Sequence, residues 1–225
     1  MAGIGVKLNK IFQKNTITSD IIGFGYSTVV TIAPMLVVIA DILLMRYFLG
    51  FSDVLYSTRM LFACTVLYIF IFGLLSASPF NAVLSKYISD VIYDERYEDI
   101  LPCYYVGLVM NISLSCLIGI PFCIWEYVVG HIDIFYVFTG FCGYISLVIV
   151  FYSMIYLSIC KDYQRISLFF GIGMVWAFLQ SLFLYHICGW PAAESMLLSL
   201  TTGFFIIACL ETALIKRYFV INSNR

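Results

Sequence analysis

The chain has 225 residues, of which 63% are hydrophobic and 11% charged, and its formal net charge is −1. Soluble domains carry about a quarter of charged residues, so this composition excludes a water-soluble fold. It also argues against nucleic acid, because a duplex is bound through a basic face that displaces counterions from phosphates.

Residues 1–20 contain no continuous apolar run and no small-residue cleavage site, so they do not read as a cleaved signal peptide. Ile4, Leu8 and Phe12 at helical spacing, with Lys7, Lys10 and Lys14, make them a cytoplasmic amphipathic lead-in. Crossing a bilayer takes about 20 apolar residues of helix. Residues 21–40 are free of charge, and the first span is expected to run over 21–49. Further spans are expected over 60–85, 100–125, 134–160, 166–187 and 195–218, with a cytoplasmic tail over 219–225. Barrel strands would alternate apolar and polar residues over about ten positions. Ile145, Ser146, Leu147, Val148, Ile149, Val150 and Phe151 do not alternate. The fold class is therefore all-α: a polytopic membrane protein with one bundle of six transmembrane helices over 21–218.

Lysine and arginine set the orientation, since cytoplasmic loops retain an excess of them. Lys7, Lys10, Lys14, Lys86, Arg96, Lys161, Arg165, Lys216, Arg217 and Arg225 fall on one side of this topology, and only Arg46 and Arg59 on the other. Both termini are thus expected in the cytoplasm of a multi-pass protein.

Eight cysteines, Cys64, Cys103, Cys116, Cys123, Cys142, Cys160, Cys188 and Cys209, show no Cys-x-x-Cys spacing and read as small apolar groups. With two histidines in all, a metal centre has no ligand set. Gly171-Ile172-Gly173 lacks the third glycine of a dinucleotide turn and reads as a packing site between helices. No hydrolase or zincin motif occurs. The expectation is no enzyme, no catalytic residue, no cofactor and no metal.

Several segments carry a family likeness. The start Met1-Ala2-Gly3-Ile4-Gly5 with its basic amphipathic continuation, Gly25-Tyr26-Ser27 followed by Pro34, Ser78-Pro79 with the acidic, tyrosine-bearing segment 83–100, and Cys160-Lys161-Asp162-Tyr163-Gln164-Arg165 occur in this order. Together they resemble the amino-terminal half of the Pel exopolysaccharide transporter (PelG) family. The resemblance implies one half of a twelve-helix fold like that of the multidrug/oligosaccharidyl-lipid/polysaccharide flippase group, two six-helix bundles around a central cavity. A second six-helix bundle is therefore expected. It further implies export of a Pel-like polysaccharide across the bacterial cytoplasmic membrane for biofilm matrix. The implied partners are membrane lipid, the polysaccharide, and a synthase complex of a cytoplasmic glycosyltransferase and membrane activator proteins. The rival reading is a non-transporting scaffold that recruits this complex, or a truncated remnant of the exporter.

A sugar path needs hydrogen-bonding groups and aromatic faces at membrane depth. The candidates are Tyr26, Thr28, Thr31, Asn81, Asn111 and Gln180, with Ser113, Tyr68 and Trp176 beside them. The plain alternative for each is a hydrogen bond between helices or simple packing. Asp41, Arg46 and Arg59 are candidates for charges at the outer mouth, against the alternative of a solvated helix end. Glu211, near Lys216, reads as an interfacial carboxylate, and His186 as an interfacial group. Asp94, Glu95, Arg96 and Glu98 are candidates for docking a cytoplasmic partner, against an ordinary solvated loop.

Overall fold

A backbone that leaves water has to bond to itself, and the long apolar runs accordingly fold as helices. The computed structural model describes the backbone of residues 17–94, 99–159 and 163–223, and within them the side chains of residues 32–218 other than 92, 159 and 163. The elements are α1 (Ile17–Phe48), a 3-10 turn (Phe51–Asp53), α2 (Tyr56–Tyr93), α3 (Ile100–Val128), α4 (Ile134–Ile159), α5 (Tyr163–His186) and α6 (Ala192–Ser223). Among the described residues, five helices, α2 to α6, are long and apolar enough to cross a membrane.

Local chemistry fixes the ends. Gly50 takes φ +58° just beyond α1, and Gly189 takes φ +69° after α5, left-handed conformations that glycine adopts without a Cβ penalty. The Asp133 carboxylate accepts the Phe135 N–H at 3.1 Å and caps the start of α4. Pro191 precedes α6, where its carbonyl accepts the Ser195 N–H at 3.0 Å.

At 38 residues, α2 is about 57 Å long, well beyond the roughly 30 Å of a hydrocarbon core. Its span was expected to end at residue 85, but the helix continues to Tyr93 because Ile88 and Val91 are still needed in the core, where both are buried. Helix α1 continues through Pro34, α2 through Pro79 and α3 through Pro121.

Helices α4 and α6 pack on each other most extensively. Helix α5 covers another side of α6 and carries α1, while α2 and α3 pack on α4. Burial follows this order, since α6 is the most enclosed of these five helices and α3 the least. Lipid tails are as apolar as leucine, so such helices associate through close packing and hydrogen bonds. The α3 stripe Gly107, Asn111, Ser115 and Gly119 is buried. At Gly119 an added Cβ would stand 2.9 Å from Phe141 and 3.0 Å from Tyr144, both on α4. Ser76 on α2 bonds the Tyr144 hydroxyl at 2.7 Å, and the Thr201 hydroxyl on α6 donates to the Thr139 carbonyl at 3.1 Å. Outside this core Leu43, Leu67, Leu75, Val109, Leu117 and Phe183 are exposed, as suits a hydrocarbon solvent.

The Gly171-Ile172-Gly173 segment divides in two. Gly173 does pack against α6, at Gly203 and Ile207, whereas a Cβ on Gly171 would meet nothing within 4 Å. Two residues turn a helix by about 200°, so the two glycines cannot share one interface.

Candidate functional site

Three features place polar or aromatic chemistry at membrane depth. The first is the pair Trp176 and Gln180, one helical turn apart on α5. Trp176 lies twelve residues from Gln164 and ten from His186, the bounds of its span, and is 52% exposed. Its indole Nε1–H donates to Gln180 Oε1 at 2.9 Å, and the Thr202 hydroxyl of α6 donates to the same oxygen. Both bonds use the amide oxygen, which leaves the amide nitrogen as a donor on a half-buried side chain. An indole and an amide at mid-depth offer a stacking face and a hydrogen-bonding edge, the two things a pyranose ring requires.

The second is a cleft of about 70 Å³ between α2, α3 and α4. Tyr68, Phe72, Phe122, Tyr136, Phe141 and Tyr144 line it, with Thr65 and Glu126 among the polar lining groups. Tyr68 and Phe122 meet edge to face at 5.9 Å, and Tyr136 donates to the Thr65 hydroxyl at 3.3 Å. Glu126 lies in the last turn of α3, so the cleft runs from the end of that helix inward.

The third is a hydroxyl cluster joining α3, α4 and α6. The Tyr104 hydroxyl bonds Ser153 at 2.8 Å and Thr212 at 3.1 Å. Beside it the Tyr152 hydroxyl donates to the Tyr104 carbonyl at 3.0 Å and bonds the Tyr156 hydroxyl at 3.1 Å. Gly107 makes room for this, since a Cβ there would collide with the Tyr152 hydroxyl. Glu211, next to Thr212, is fully buried, and neither carboxylate oxygen has a hydrogen-bond partner among the described residues. The sequence had suggested an interfacial carboxylate; the structure encloses it because α6 stays helical past it and neighbouring helices cover this face.

The residues singled out from sequence fall in different places. Tyr26, Thr28 and Thr31 belong to α1, but their side chains lie outside the described residues. Asn111 is buried in the α3–α4 stripe, with both amide atoms unpartnered among the described residues. Asn81 is half-buried and donates to the Phe151 carbonyl at 3.4 Å. Ser113 is exposed and bonds its own helix at the Val109 carbonyl. Asp41 is buried rather than on a solvated helix end. It belongs to the stripe Pro34, Val38, Asp41 and Met45 along α1, continued by Leu49 just beyond it, and its Oδ2 has no partner among the described residues. The Arg46 guanidinium lies 5.8 Å from the Phe51 ring and that of Arg59 5.9 Å from the Tyr56 ring. Among the described residues no ion pair joins Asp41 to either arginine, so the three do not form one charged cluster. Asp94 follows the last turn of α2, where its N–H donates to the Asp90 carbonyl; Glu95, Arg96 and Glu98 lie outside the described residues. The hydroxyl cluster, Thr202 and the aromatic cleft were not anticipated, although Tyr104, Tyr152 and Tyr156 in apolar runs were a visible signal.

Among the described residues no group of three or more histidine, cysteine, aspartate or glutamate side chains could hold a metal ion. The described cysteines Cys64, Cys103, Cys116, Cys123, Cys142, Cys188 and Cys209 are free thiols.

A search of curated proteins and one of solved structures give no match to this chain. A family model described as PelG, "Putative exopolysaccharide Exporter (EPS-E)", matches residues 1–225. An all-helical chain with five membrane-length helices, matched along its whole sequence, thus belongs to the PelG family of exopolysaccharide exporters.

Proposed function

We propose that this chain is the membrane-embedded part of a bacterial inner-membrane exporter that moves a Pel-like polysaccharide across the cytoplasmic membrane for biofilm matrix. The observation that carries the reading is the family match over residues 1–225. In this reading α1 also crosses the membrane, which makes six spans with both termini cytoplasmic, in keeping with the charge-free run 21–40 and the lysine and arginine bias. The role is transport rather than catalysis.

The polymer path runs along the α5–α6 face that carries Trp176, Gln180 and Thr202. A half-exposed indole and amide at mid-depth are costly against lipid and well placed against a hydrated cavity. A second six-helix bundle closes that cavity, and the remaining exposed helix faces meet lipid. On the cytoplasmic side the segment around Asp94, Glu95, Arg96 and Glu98 docks the glycosyltransferase and membrane activators of the synthase complex.

The test is complementation of a strain lacking the gene with wild type, Gln180→Leu and Trp176→Ala, measuring secreted and cell-retained polymer together with co-purification of the glycosyltransferase. Export lost with the complex still assembled supports a transport path. Unchanged export in both variants removes this face from the path. Loss of polymer only when the complex itself falls apart favours the scaffold.

A further inference from the structure

Glu211 is the one fully buried carboxylate among the described side chains, and nothing in the exporter reading uses it. It stands seven residues before Tyr218, the last described residue of its apolar segment, and so lies about 10 Å inside that bound. Ile207, Ala208, Leu214 and Ile215 surround it on the same helix and are buried. Neither oxygen receives a hydrogen bond among the described residues, and no lysine, arginine or histidine there pairs with it. An isolated anion in such a place is too costly to persist, so the group carries a proton or meets a cation.

The surrounding groups favour the proton. On α3 the titratable neighbour is Tyr104, within electrostatic reach of Glu211 and bonded to Ser153 and Thr212. On α4, Tyr152 and Tyr156 are bonded to each other. On α5, Arg165 lies 5.5 Å from the Tyr218 ring. On α2, Lys86 and Asp90 stand on the exposed side, as do Lys216 and Arg217 on α6 itself. A metal ion would need several carboxylate or imidazole ligands, and Glu211 has none beside it among the described residues. A protonated carboxyl, by contrast, is neutral and needs no counter-ion in such apolar surroundings.

We propose that Glu211, beside the Tyr104–Ser153–Thr212 hydroxyls, is a reversible proton-binding site within the membrane domain. The carboxylate gains H⁺ from water to become the neutral acid, and returns it when the bundle opens that region to solvent. The inference concerns this carboxyl alone and stands whether or not the polymer path runs along α5.

Infrared difference spectroscopy of the purified full chain, titrated from acid to alkaline pH, reads this directly. The expected result is a protonated-carboxyl carbonyl band that is lost on raising the pH, shifts in deuterated water, is missing from Glu211→Gln and moves in frequency in Glu211→Asp. The aspartate variant keeps the assignment possible where the glutamine variant does not fold. A band unchanged across the whole pH range, marking a fixed structural acid, overturns the proposal. So does a pH-sensitive band indifferent to both substitutions.

Discussion

Gly173 on α5 and Gly203 on α6 face each other so closely that a Cβ added to either would stand 2.8 Å from the carbonyl oxygen of the other. This mutual approach is backbone against backbone, where no flexible side chain can give way. Gly173→Ala or Gly203→Ala is expected to force the helices apart and cost about 1–3 kcal/mol. Thermal unfolding of the detergent-solubilised chain measures it, with Gly171→Ala as the control that does not lower the midpoint, since its Cβ meets nothing and alanine favours the helix.

Tyr104 reaches from α3 to partners on two other helices. Tyr104→Phe keeps the ring and removes the hydroxyl, and a double-mutant cycle with Ser153→Ala should return a coupling of about 0.6–1.7 kcal/mol, the scale of hydrogen bonds between membrane helices. Tyr104→Ala also empties a site with no exposed surface and should cost about 3–5 kcal/mol. Equal losses for the phenylalanine and alanine variants would contradict this division between ring and hydroxyl.

Asn111 holds an amide with neither oxygen nor nitrogen partnered among the described residues. Replacing it with leucine removes polar atoms that burial penalises, so Asn111→Leu should raise stability by about 1–3 kcal/mol. Polymer export by the same variant separates packing from function: a more stable protein that exports less would mean that the amide meets substrate or solvent during transport.

Orientation can be read from single thiols. Cys188 is exposed in the turn between α5 and α6, and Cys160 precedes the basic pair Lys161 and Arg165 in sequence. With the other cysteines replaced, a membrane-impermeant maleimide added from outside should label Cys188 and leave Cys160 unlabelled until the cytoplasmic face is opened. The reverse pattern would place the termini on the other side.

Much of the helical architecture was legible in the sequence because hydrocarbon length and charge exclusion act on every residue of a span. Helix α4, expected over 134–160, folds as Ile134–Ile159, and α5, expected over 166–187, as Tyr163–His186. Individual side chains were less legible, since their surroundings come from other helices. Glu211 looked interfacial because Lys216 lies one turn and a half further on, yet lateral cover from other helices decides its burial. Asp41 illustrates the same point, for only its spacing from Val38 and Met45 reveals that it shares their buried stripe. The aromatic cleft brings together α2, α3 and α4, and no local pattern announces such a meeting. Gly173 could be recognised as a contact, but its partner Gly203 could not be named without the packing of α5 on α6.

Helix α1 rests chiefly on α5, so the first long helix of the chain depends on the fifth. During synthesis α2, α3 and α4 emerge between α1 and α5, so the surface destined for Pro34, Val38, Asp41, Met45 and Leu49 does not exist when α1 leaves the ribosome. The stripe, with Asp41 Oδ2 unpartnered among the described residues, has no α5 to pack on until that helix emerges. A fault in α5 would therefore also remove the surface on which α1 chiefly rests.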